Sequence, residues 1–79
     1  MDFSVLKRIE NGSRCYKLLK ANFYRGYFVI IAQDKADFYC GSFYSDRKNA
    51  ELLFEEIAMS NTEPYTVADI LQDFKKQSV

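Results

Sequence analysis

The amino-acid sequence predicts an α+β domain, a four-stranded antiparallel meander sheet followed by two C-terminal helices packed on one face, in the order β-β-β-β-α-α. Three observations carry this reading. Near Ser45 the apolar period changes, from short aromatic and β-branched runs such as Tyr27-Phe28-Val29-Ile30-Ile31 to helical spacing at Val67, Ile70, Leu71 and Phe74. Turn formers divide the first half at Asn11-Gly12, Tyr24-Arg25-Gly26 and Asp34 to Asp37. The third run is apolar at both parities, as a strand covered at least in part on both sides must be.

The first strand is expected over residues 2–10, with Phe3, Val5 and Ile9 on one face. Asn11-Gly12 then marks a hairpin, because both residues tolerate positive φ. Two registers compete for it. A two-residue turn at Asn11-Gly12 sets Val5 opposite Leu18 and Ile9 opposite Arg14; a three-residue Asn-Gly-Ser loop sets Val5 opposite Leu19, Ile9 opposite Cys15 and Lys7 opposite Lys17. The second has the better apolar face but opposes two like charges, and the first is preferred. Further strands follow over residues 14–23, 27–33 and 38–44, with Gly26 supplying the unusual dihedrals of the second turn.

Ser45 or Asp46 caps a first helix over residues 46–60, whose inward stripe is Ala50, Leu53, Phe54 and Ile57. Leu52 and Met59 lie off that stripe and suggest a second neighbour. Pro64 prevents continuation. The second helix is expected over residues 66–77, with Thr66 as cap, Asp69 as a short capping-box acid and Tyr65 with Ile70 as a hydrophobic staple. Lys75 and Lys76 suit the negative end of its dipole.

At 79 residues the chain is one domain near the lower limit for folding without a staple, and self-association often supports a core this small. Thirteen Phe and Tyr rings, with no Trp, supply much of the buried area. The formal net charge is zero, so bulk charge points to neither nucleic acid nor membrane. Charge is nevertheless segregated. Residues 1–36 carry seven bases against three acids, and residues 37–79 carry four against eight. Attraction between a basic sheet and acidic helices is the plainer reading; a polarised docking surface is the sharper one.

Cys15 and Cys40 fall in apolar strands that are not expected to be neighbours, so they read as buried free thiols rather than a disulfide. No stretch resembles a signal peptide or reaches the roughly 20 apolar residues of a spanning helix, which leads to an expectation of a cytoplasmic protein.

Phe43-Tyr44-Ser45, Leu53 and Ile57, Asn61, Pro64 and the closing Asp69-Ile70-Leu71-Gln72-Asp73-Phe74 together resemble a family of short, uncharacterised proteins from clostridia and related Firmicutes, a domain of unknown function. The resemblance covers roughly the C-terminal half and rests on a capped helix, a turn and a second amphipathic helix. It implies a bacterial, cytoplasmic origin. The family has no assigned activity, so no functional residue transfers.

Candidate chemistry is sparse. With no histidine, the usual neutral-pH base, the His-based triads and most zinc sites are absent. A thiolate nucleophile needs a depressed pKa, for which Lys17 beside Cys15 is only a weak signal. Asp69 with Asp73, and Glu51 with Glu55, are four apart on helix faces, where solvated acids are the norm over metal or acid–base pairs. The expectation is a chain without catalytic residues, metal or cofactor.

Two binding readings remain. The helices cover only one face of the sheet, so part of Tyr27, Phe28, Val29, Ile30 and Ile31 is left over as a candidate self-association surface; a homodimeric interaction or adaptor module follows. The alternative is a nucleic-acid-binding module using a basic and aromatic surface of Arg14, Tyr16, Lys20, Arg25 and Tyr27. Neither helix has the basic polar face of a membrane-surface segment.

Overall fold

The computed structural model describes residues 3–22 and 25–77, with side chains described as far as Phe74. Its elements run β1 (Phe3–Asn11), β2 (Arg14–Ala21), β3 (Tyr27–Gln33), β4 (Ala36–Phe43), α1 (Arg47–Met59) and α2 (Pro64–Gln77). The strands form one antiparallel sheet in the order β1-β2-β3-β4, and both helices lie on one face of it. This is the expected meander and α+β class. The expectations for Asp2, Phe23 and Tyr24, and for the side chains of Lys75 and Lys76, lie outside the described residues.

Alternation along the central strands decides the two faces. Tyr16 and Leu18 on β2, and Tyr27, Val29 and Ile31 on β3, are buried beneath the helices. Ala50, Phe54, Ile57 and Ala58 of α1, and Val67 and Leu71 of α2, meet them, with Leu53, Ile70 and Phe74 packed at the margin. The Phe74 ring stands edge-on to Phe43, with centroids 5.6 Å apart. Leu52 and Met59 find no second neighbour and are exposed.

The first hairpin adopts neither expected register. Asn11 pairs with Arg14, so the turn is Gly12-Ser13, one residue later than expected, and Ile9 faces Tyr16 while Lys7 faces Leu18. A bulge between Val5 and Lys7 then sets Val5 opposite Leu19, the one pairing of the three-residue-loop register that is kept. Gly12 alone takes positive φ in this turn (63°), as a type II′ turn requires at its first central position. The reason lies outside the hairpin. Asn11 is held in the strand because its side-chain amide donates to Ala58 O at 2.9 Å, tying β1 to the end of α1.

That helix end is a polar clasp. Thr62 N–H donates to Ile57 O and Asn61 N–H to Ala58 O, the paired bonds of a Schellman motif, with Asn61 left-handed at φ 52°. Tyr16 Oη donates to Thr62 O at 2.6 Å, and Arg14 donates to Asn61 O at 2.7 Å and, through Nε, to Gln33 Oε1 at 2.8 Å. At the other end Asp46 caps α1 by accepting from Asn49 N–H. One contact of the basic sheet with the acidic helices is explicit, the Lys7–Glu55 ion pair; the Glu55 carboxylate holds the Lys7 ammonium above its usual range.

The starts of α2 and β4 each lie two residues before expectation. α2 begins at Pro64, not Thr66: proline's fixed φ and missing N–H suit the first helical position, and Val67 N–H already donates to Glu63 O. Thr66 is therefore inside the helix, and Tyr65, largely exposed, staples nothing. β4 begins at Ala36, because Asp34 and Lys35 alone make the turn, both at positive φ (53° and 66°). Both central residues are left-handed, the pattern of a type I′ turn, and a lysine there is strained. Lys35→Gly is expected to raise stability by about 0.5–1 kcal/mol, the relieved strain exceeding glycine's added chain entropy. Urea unfolding checks this; an unchanged or lowered midpoint would contradict it.

Candidate functional site

The helix-free face of the sheet is ordered in rows by the strand register. Val5, Leu19, Phe28 and Ser42 form one row; Arg8, Lys17, Ile30 and Tyr39 form the next; Glu10, Cys15, Ala32 and Asp37 form a third. Beyond the first row stands Phe3, paired with Ala21. The apolar and aromatic members gather at one end. Phe3, Leu19, Phe28, Ile30 and Tyr39 surround a shallow hollow of about 200 Å³. Phe28 is its centre, with Phe3 edge-on at 5.6 Å and Tyr39 tilted at 6.2 Å on the other side.

Leu19 is buried although no helix lies over it, because its neighbours in the row enclose it. Phe3, Val5 and Tyr39 are 41%, 55% and 62% exposed. Scattered apolar residues at a surface are ordinary, but a contiguous cluster on an uncovered sheet face marks a contact surface. The charges begin in the second row, where Arg8 and Lys17 continue the line of Ile30 and Tyr39, and Glu10 and Asp37 follow in the third; Arg8 is drawn to Glu10 at 2.8 Å, away from Lys17 across the ladder.

The edges of the sheet are less inviting. β1 carries a bulge at Leu6 and β4 one at Cys40, next to Gly41 at φ 137°. A bulge on an edge strand interrupts the row of free N–H and C=O groups another strand would need.

Of the five residues expected at a self-association surface, Tyr27, Val29 and Ile31 lie in the core and only Phe28 and Ile30 reach the open face. Phe3, Val5, Leu19 and Tyr39 complete the cluster. Their parity in the sequence is a signal, but the bulges at Leu6 and Cys40 shift the phase of both outer strands. The basic and aromatic set is not brought together. Tyr16 and Tyr27 are buried, Arg14 and Tyr16 hold the end of α1, and Lys20 lies over the Tyr27 ring at 5.8 Å. Arg25 is exposed in the turn before β3.

Both cysteines are free, and β3 separates their strands. Cys40 is buried, and desolvation pushes its thiol up to about 11. Cys15 is half-buried on the open face rather than fully buried as expected, since no helix covers that row. Alkylation at pH 7 is expected to label Cys15 at once and Cys40 only on unfolding; equal rates would contradict this burial. The sign for stability follows. Cys40 ionises later folded than unfolded, so its contribution is complete below about pH 9 and lost as pH rises toward 11.

The paired acids are spoken for or solvated: Glu51 receives Arg47 at 2.8 Å, Glu55 receives Lys7, and Asp69 and Asp73 are exposed. Among the described residues no group of three or more Cys, Asp or Glu is placed to hold a metal ion. No described helix is long and apolar enough to cross a membrane. No family model, curated protein or solved structure matches this chain.

Proposed function

We propose that this protein is a small interaction module that pairs with a second copy of itself through the open face of its sheet. The observation that carries the reading is the cluster of Phe3, Val5, Leu19, Phe28, Ile30 and Tyr39 on a face with no helix over it. A second copy suits this patch for two reasons. Arg8 and Lys17 border the patch on the β1 and β2 side of its second row, and Glu10 and Asp37 lie one row further, so two patches stacked about a twofold axis centred on the first row keep these charges at the rim. The bulged edges disfavour strand addition, which leaves face-to-face sheet packing as the route.

Covering a large apolar side chain is worth about 1.5–3 kcal/mol. Three of the six are more than two-fifths exposed in a single copy, so pairing has a driving force without unfolding anything. Two free thiols in so short a chain fit a reducing compartment, and we place the module in the cytoplasm. Amide NMR spectra recorded over a dilution series test the surface. Val5, Leu19, Phe28, Ile30 and Tyr39 are expected to shift with concentration while Ala50, Phe54 and Val67 hold still. Shifts confined to the helices would place the contact elsewhere.

A further inference from the structure

A second concave surface lies on the helix side, between the edge strand β4 and the first turn of α2. It encloses about 450 Å³, within the usual range for a small-molecule site, and Phe38, Tyr39, Glu63 and Tyr65 line it beside Cys40 and Pro64. Phe38 and Tyr65 are 43% and 80% exposed and put two large rings in water at this groove, while Tyr39, the next residue of β4, turns its ring to the open face against Phe28. Glu63 is the only formally charged residue among those lining it, and its carboxylate has no ion-pair partner among the described residues.

We propose that this groove binds a small quaternary ammonium compound. Ring faces attract a cation through their quadrupole, and the attraction is strongest for cations that shed water easily. A quaternary ammonium has no N–H to leave unsatisfied against the rings, whereas a primary ammonium does. Two nearby positive features weigh against a cation, and both are outweighed. The N-terminus of α2 carries about half a positive charge, which the full negative charge of Glu63 exceeds. Arg14 touches the lining residue Gln33, but its guanidinium is shared between Gln33 Oε1 and Asn61 O. A peptide strand is a poorer occupant, because the bulge at Cys40 breaks the edge beside which it would lie.

The site is independent of self-pairing: Glu63 and Tyr65 belong to the helix side, and only Tyr39 borders both surfaces. The test is a titration with choline, followed by the ring-proton NMR signals of Phe38 and Tyr65. The neutral isostere, with tert-butyl in place of trimethylammonium, is run beside it. Saturable choline shifts with several-fold weaker isostere binding are expected. Tyr65→Ala is expected to weaken choline about two- to fivefold, one ring's share of the attraction, and Glu63→Gln to weaken it without affecting the isostere. Both residues are exposed, and an unchanged urea midpoint confirms that each variant is folded. Equal binding of choline and isostere, or no saturable shift at millimolar concentration, overturns the proposal. A trimethyllysine peptide binding more tightly than choline overturns the small-ligand assignment.

Discussion

Phe54→Ala is expected to cost about 3–5 kcal/mol, enough to leave much of the chain unfolded at room temperature. Phe54 is fully buried at the centre of α1, against a sheet face whose Tyr16, Leu18, Val29 and Ile31 have no exposure at all. A domain of this length has only about 4–12 kcal/mol in total, so one such cavity removes a large fraction. Phe74→Ala is the graded comparison. Its ring is only partly buried, at the margin beside Phe43, and its loss is expected to be clearly smaller. Urea unfolding with an unchanged slope measures both. Equal midpoints for Phe54→Ala and wild type would show that α1 does not pack as described.

Val5→Glu and Tyr39→Glu are expected to abolish self-pairing while leaving each copy folded. Both positions are more than half exposed in the single chain, so the carboxylate is solvated there. In the pair it would be buried against apolar rings without a partner, at a cost of several kcal/mol. Twofold symmetry introduces the change twice, so the dimer should weaken by roughly a hundredfold or more for either variant. Leu52→Glu, on the exposed outer side of α1, is the matched control and should leave association unchanged. If Leu52→Glu disrupted pairing and Val5→Glu did not, the contact would lie on the helices.

Period and turn chemistry made the architecture legible: the switch at Ser45 separates sheet from helices, and the stripes of α1 and α2 bury largely the residues their spacing selects. What failed was local in sequence but decided at long range. Asn11 reads as a turn residue until its amide is needed at Ala58 O, and the hairpin moves by one residue to satisfy it. Pro64 reads as a break until α1 has ended at Met59 and the chain has turned at Asn61, after which the same ring starts α2. Thr66 then has no helix end to cap.

The candidate surface was legible in outline only. The double-sided apolar pattern of Tyr27 to Ile31 announces that one face is left over, but not which, since both parities are equally apolar. Buried alternation on β2 settles it, because Tyr16 and Leu18 face the same side as Val29 and Ile31. Phe3 and Val5 join only beyond the bulge at Leu6, and no periodic template contains a bulge, whereas Tyr39 takes its face from the two-residue turn at Asp34 and Lys35. Arg14, Tyr16 and Tyr27 resemble a binding surface in sequence because hydrogen-bonding rings and guanidinium groups serve a clasp as well as a ligand.

Sedimentation equilibrium over a tenfold range of micromolar concentrations tests self-pairing most directly. The mass is expected to rise with concentration toward twice the 9.3 kDa of one chain, and to stay at the single-chain value for Val5→Glu. A wild-type mass that remains at one chain across the whole range would contradict pairing through the open face.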